Sequence, residues 1–286
     1  MKIAFVFPGQ GSQSVGMMKS FAGLPGMRDT FAEASSAIGQ DLWQLVEAGP
    51  AEELNLTVNT QPVMLAAGVA LHRAWNASTE VRPMISAGHS LGEYSALVAG
   101  GAIDFADAVA LVRFRAQAMQ EAVPAGVGAM AAILGLEDEV VRTVCKEASG
   151  SKEIVEAAKG KGAKRAIRLP MSVPSHCSLM RPAAELMRER LKIVKIGTSS
   201  LSVLHNADVK NADSAEAVRD ALVRQLYQPV RWVDTIRAIV SAGATHIIEC
   251  GPGRVLAGLN KRIAPETRTL SFGDELAFKE ALVVLK

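Results

Sequence analysis

The pentapeptide Gly88-His89-Ser90-Leu91-Gly92 narrows the possible folds more than any other stretch of this chain. The apolar run Met84–Ala87 before it reads as a strand, and Leu91–Val98 after it reads as a helix. In that setting G-x-S-x-G is a tight strand-to-helix turn that lifts the serine hydroxyl above a sheet. The glycines allow the turn because no Cβ stands in the way. The Leu91 N–H would then lie at a helix N-terminus, aimed at any oxygen that gains negative charge. A serine that caps a helix in a Gly-rich loop is the plainer reading. Strand, turn and helix in order favour the nucleophile.

The rest of the chain supplies the sheet that such a turn needs. Strand-like runs at Lys2–Phe7, Pro83–Ala87, Val127–Leu134, Arg165–Pro170, Leu201–His205, Thr245–Cys250 and Thr267–Ser271 alternate with helical patterns. The helical patterns lie at Gln61–Trp75, Leu91–Val98, Phe105–Ala122, Glu137–Ala148, Met180–Leu191, Ala215–Leu226 and Trp232–Ser241. This alternation predicts an α/β fold with a mostly parallel sheet and its active-site loops at the carboxyl ends of the strands. Composition shifts near 123–127 and 194–199 mark out a smaller strand–helix–helix–strand–helix block at 125–194, inserted in a larger α/β domain of residues 1–124 and 195–286. The stretch Ser149–Ala163 is rich in Gly and Lys and weakly patterned.

With 49% hydrophobic residues in 286, a sizeable core is expected. A net charge of +2 gives no reason to expect nucleic acid. No apolar run is long enough to cross a bilayer, so no membrane partner is expected and the reading is a soluble, cytoplasmic protein. The three cysteines form no C-x-x-C pair or His/Cys cluster, which leaves no zinc site and no disulfide framework to expect.

A serine nucleophile needs a base. His72 lies inside a helical pattern, structural or exposed, and His246 lies inside a strand, where packing is the simpler role. The elbow turns His89 away from Ser90. His176 and His205 both follow predicted strands, and position gives His176 only a slight edge. The turn Pro8-Gly9-Gln10-Gly11-Ser12-Gln13 after the first strand fits neither a phosphate-binding loop nor a dinucleotide fingerprint. It is either a plain turn or a second donor to an oxyanion. Arg113 and Arg115, two apart on one helix, cannot share a face. One is expected toward solvent. A buried one would be a structural arginine in the first instance, or the partner of a substrate carboxylate.

Several segments in order resemble the malonyl-CoA:acyl carrier protein transacylases of bacterial fatty-acid synthesis. They are Phe5–Gln13 (FVFPGQGSQ), Gly88–Glu93 (GHSLGE), Met119–Met130 (MQEAVPAGVGAM), Pro174–Met180 (PSHCSLM), His205–Val209 (HNADV), Arg224–Trp232 (RQLYQPVRW) and Gly251–Leu259 (GPGRVLAGL). The resemblance implies an acyltransferase with Ser90 as nucleophile and His176 as its base. It implies that the Gln225 carbonyl orients the histidine in place of the usual Asp, and that the Gln10 and Leu91 N–H groups form the oxyanion hole. It also implies that Arg115 pairs with the malonyl carboxylate, and that the fold is hydrolase-like with a small ferredoxin-like subdomain. The reaction it implies is ping-pong, from malonyl-CoA to the phosphopantetheine thiol of acyl carrier protein, with CoA as a substrate and with neither metal nor cofactor. Arg181, Arg188, Arg190, Lys261 and Arg262 are candidates for a basic rim facing an acidic carrier. A discrete polyketide-type or malonate-decarboxylase acyltransferase, or a serine thioester hydrolase, is the alternative.

The chain departs from the family pattern in two places. Ala148-Ser149-Gly150 runs straight into Lys152–Ala163, without the Asn-rich segment and two middle strands that the small subdomain normally carries. Ser175 stands before the histidine, where malonyl-selective polyketide domains often have Phe.

Overall fold

A computed structural model of the chain describes residues 1–124, 127–128, 130–147, 151–169 and 173–285, the side chains of 151–153 apart. Positions 125, 126, 129, 148–150 and 170, which fall within expected elements or motifs, lie outside the described residues. In chain order the elements are β1 (Ile3–Phe7), α1 (Met27–Ile38), α2 (Leu42–Ala48), α3 (Ala51–Asn55), α4 (Thr57–Ser78), β2 (Ile85–Gly88), α5 (Gly92–Ala99) and α6 (Phe105–Glu121). Then come β3 (Ala131–Leu134), α7 (Asp138–Glu147), α8 (Ser151–Gly160), β4 (Arg165–Arg168) and α9 (Arg181–Ile193). The chain closes with β5 (Ser202–Leu204), α10 (Ala215–Tyr227), α11 (Trp232–Ser241), β6 (His246–Glu249), α12 (Val255–Ile263), β7 (Arg268–Ser271) and α13 (Glu275–Val284).

Five strands pair in the order β5-β2-β1-β6-β7, every pair parallel. The central strand β1 is buried at all five positions, as a strand covered by helices on both faces must be. Its alternation splits the core. Ile3, Phe5 and Phe7 point into a large cluster with α4, α5 and α6, while Ala4 and Val6 point to the opposite face, with Trp232, Ile236 and Leu256. The register aligns Phe7 with Gly88, and Val6 with Glu249, so the loops after β1, β2 and β6 emerge at one edge.

The second sheet is one antiparallel pair, β3 with β4. Among the described residues it has no further strand, in line with the missing middle strands. Its core is small: Val144, Ala158 and Ala166 are buried, with Ile133, Leu136 and Ile154 against them. The weakly patterned 149–163 stretch holds a helix, α8, whose Ala158 closes this cluster. The helix α9, last in the 125–194 block, buries Ala183, Ala184, Met187 and Leu191 in the main cluster. The sequence reading also passed over α1, α2, α3, α12 and α13. Among the described residues no helix is long and apolar enough to cross a membrane.

Candidate active site

The elbow is as tight as its letters require. A Cβ on Gly88 would lie 1.8 Å from the Gly92 carbonyl carbon, and one on Gly92 would lie 2.0 Å from the Phe7 oxygen. Ser90 sits between them at φ 53, a left-handed conformation that non-glycine residues adopt at a cost of about 1–3 kcal/mol. Asn206, just past β5, holds it there. Its Oδ1 accepts the Ser90 N–H at 2.7 Å, and its Nδ2 donates to the Gly88 carbonyl at 2.6 Å.

His176 Nε2 lies 2.7 Å from Ser90 Oγ, and His176 Nδ1 lies 2.8 Å from the Gln225 carbonyl. A carbonyl can only accept, so the proton is on Nδ1 and Nε2 is free to take the serine proton. Gln225 falls in the last turn of α10, where helix carbonyls lack intrahelical donors. His176 fills two of these places, its ring on Gln225 and its backbone N–H on the Leu226 carbonyl at 3.0 Å. Like Ser90, it has a left-handed backbone, φ 62. Desolvation above all, then the Arg115 charge, lowers its pKa to about 3, although the Gln225 hydrogen bond opposes this. The imidazole is therefore neutral and able to accept a proton at neutral pH.

Arg115 is buried, at 1% exposure. Its Nη1 donates to Gln61 Oε1 at 2.9 Å, its Nη2 donates to Gln225 Oε1 at 2.8 Å, and Nη2 also lies 3.3 Å from Ser90 Oγ. Its direct partners are thus neutral, and Nε has none. Arg113 faces the other way, but it is half-buried against Gln40 and Asn59 instead of reaching into solvent.

The turn after β1 lies against the elbow, since a Cβ on Gly9 would come within 3.7 Å of the Leu91 nitrogen. Among the described residues neither the Gln10 nor the Leu91 N–H has an acceptor. The two candidate oxyanion donors are therefore both unengaged, on neighbouring loops beside Ser90.

The remaining histidines are accounted for. His205, the rival base, is buried and gives Nδ1 to Glu93 Oε1 at 2.6 Å. His89 packs edge-on against Trp232, and His72 is buried against Phe5 and Phe7. His246, expected in packing, is half-exposed and bonded to Thr245 Oγ1 at 2.9 Å. Sequence reasoning missed Gln61, Glu93 and Asn206 as parts of the site. Glu93 and Asn206 stood inside quoted motifs, but nothing local distinguishes a polar residue that will be buried.

Comparison with known proteins places this arrangement. The acyl transferase domain family matches residues 4–264. A malonyl CoA-acyl carrier protein transacylase of Escherichia coli strain K12 is 48% identical over 305 aligned positions, covering 98% of this chain and 99% of its own. That alignment is longer than the 286-residue chain, so residues of the relative stand opposite gaps in this one. The crystal structure of an acyl-carrier-protein S-malonyltransferase from Burkholderia pseudomallei 1710b is similar at a TM-score of 0.95 and 53% identity, covering 99% of this chain and 100% of that one. A malonyl-transacylase in complex with its type II PKS acyl-carrier protein is similar at 0.96 and 46% identity, again over 99% and 100%. This chain, with its serine elbow, histidine and buried arginine, belongs to the acyl transferase family.

Proposed function

We propose that the chain transfers a malonyl group from malonyl-CoA to the phosphopantetheine thiol of an acyl carrier protein, in fatty-acid biosynthesis, through a malonyl-Ser90 ester. The observation that carries this reading is Arg115, a buried guanidinium 3.3 Å from Ser90 Oγ whose direct partners are all neutral. A buried cation held by amides is matched by an acyl group that brings its own carboxylate, in a bidentate pair. The similar proteins, a malonyl CoA-acyl carrier protein transacylase and an acyl-carrier-protein S-malonyltransferase, support the same donor and acceptor.

His176 Nε2 takes the Ser90 proton as Oγ attacks the thioester carbonyl. The oxyanion is received by the Gln10 and Leu91 N–H groups, each worth about 3–4 kcal/mol in the transition state. The CoA thiolate leaves and takes the proton from His176. The carrier thiol then gives its proton to His176 and attacks the ester, and the Ser90 oxygen leaves and takes that proton back from His176. A malonyl carboxylate on Arg115 also neutralises the charge that depresses His176, so the correct substrate raises the basicity of its own base. The reaction calls for no metal or redox cofactor, and we place it in the cytoplasm. Of the candidate rim residues, Arg181 lies over the Tyr227 ring, Arg188 pairs with Glu185, and Arg190 lies over Phe114. Arg181, Arg188, Lys261 and Arg262 are exposed, and among the described residues no ion pair engages Lys261 or Arg262, which leaves their charge available to an acidic carrier.

Intact mass after mixing with malonyl-CoA alone tests the proposal. The expected result is a gain of one malonyl group that is lost on adding holo carrier protein and absent in Ser90→Ala. Steady CoA release without an adduct would make the chain a hydrolase.

A further inference from the structure

Glu93 is fully buried in the first turn of α5, yet no step above uses it. Both of its oxygens are engaged. Oε1 faces His205 Nδ1 at 2.6 Å, and Oε2 accepts from Gln225 Nε2 at 2.9 Å and from the Asn206 N–H at 3.0 Å. The two residues on Oε2 are the ones that reach the site. Gln225 turns its other end, Oε1, onto Arg115, and its Nε2 also donates to the Ser90 carbonyl at 2.9 Å. Carboxylate on one side and guanidinium on the other define which way that amide points. Asn206 in turn braces the elbow through both ends of its amide, Oδ1 on the Ser90 N–H and Nδ2 on the Gly88 carbonyl.

We infer that Glu93, paired with His205, is a positioning residue for malonyl transfer: it fixes the Gln225 amide that aims Arg115 and the Asn206 amide that braces Ser90. The inference rests on the malonyl-transfer reading. A glutamine at this position would bring its own N–H₂ to a place where donors already converge, so one partner would have to turn. If Gln225 turns, it presents N–H groups to Arg115, and the guanidinium loses its aim. His205 is the partner of the other Glu93 oxygen, and both side chains of that pair are buried. It also lines a cavity of about 240 Å³ with Thr198, Asn211 and Ser214. The other charged or titratable groups acting here are Arg115 and Tyr94 beside Glu93, and Asp208 and Arg224 near His205.

The test is the rate of Ser90 acylation by malonyl-CoA and by acetyl-CoA, per folded site, in the wild type, Glu93→Gln and His205→Gln. The malonyl-to-acetyl ratio is expected to fall about tenfold in Glu93→Gln, the worth of one aligned charge-assisted hydrogen bond. In His205→Gln, Oε1 loses its histidine while Oε2 keeps Gln225 and the Asn206 N–H, so the ratio is expected to fall by less than in Glu93→Gln. Lower melting temperatures with wild-type ratios in both variants would overturn the inference and leave malonyl transfer standing. A wild-type chain that takes up no malonyl group would overturn the functional reading, and the inference with it.

Discussion

The two sheets of this molecule are built to different standards. In the five-stranded sheet, β1 is buried end to end, and the loops at its edge are tied by side chains distant in sequence: Ser90 to Asn206, Ser90 to His176, Arg115 to Gln225. In the two-stranded sheet the buried cluster is three residues, and Leu134 and Ile167 stay exposed at 46% and 41%. The difference separates two demands. Reacting groups tolerate errors of a fraction of an ångström, and here Ser90, His176 and the proposed oxyanion donors rest on the deeper core. The small sheet carries none of them, so its smaller core leaves their geometry untouched.

That contrast can be broken experimentally, most severely at the chemistry. His176→Ala is expected to slow Ser90 acylation about 10,000-fold with little change in melting temperature, as measured by rapid-quench mass spectrometry. Gly88→Ala drives a Cβ into the Gly92 backbone and is expected to cost more than about 4 kcal/mol, read by denaturant unfolding or as failure to recover folded protein.

Acid should act on the large part first. Desolvation lowers the pKa of His72 and His89 to about 4 and of His176 to about 3, and no histidine lies in the small sheet or its helices. Below pH 6.5 the unfolded chain takes up protons that these folded sites refuse. The stability they contribute above that pH is therefore lost as pH falls, about 2 kcal/mol per histidine at pH 5, measurable by urea unfolding at each pH. His205 has the opposite sign. Burial lowers its pKa, but Glu93 raises it further, so its contribution is full below pH 6.5 and fades as pH rises through the folded value. The smallest effect belongs to the small sheet. Val144→Ala removes two buried methyl groups, for about 1–2 kcal/mol. Hydrogen exchange should show faster opening of α7 and α8 with Ser90 acylation unchanged; slower acylation would mean that the two regions are coupled.

The same contrast describes what could be read in advance. All seven strands lay under β-branched runs, and Ser90 was legible because an elbow is written in five adjacent residues. His176 could not be separated from His205 by position, since its pairing with Ser90 closes a loop of 86 residues. Only the resemblance chose between them; the structure puts His176 Nε2 2.7 Å from Ser90 Oγ and His205 on Glu93. Arg115 read first as structural because burial of a cation makes no local pattern. The helix α8 was counted in the strand–helix–helix–strand–helix order of the small block but given no bounds, because Lys and Gly at 159–162 mask a short apolar face at Ile154, Val155 and Ala158. The small helices α2 and α3, of seven and five residues, are held by packing more than by propensity.

One consequence follows from the partner of His176 being a backbone carbonyl at a helix end. A carboxylate in that place would have its own acid limb and would share its proton with the imidazole. A peptide group has neither property, so the proton inventory of the pair reduces to a single ring. Nor can a change of side chain delete the partner. Whatever residue replaces Gln225, a carbonyl remains, and the base goes astray only if the last turn of α10 unwinds.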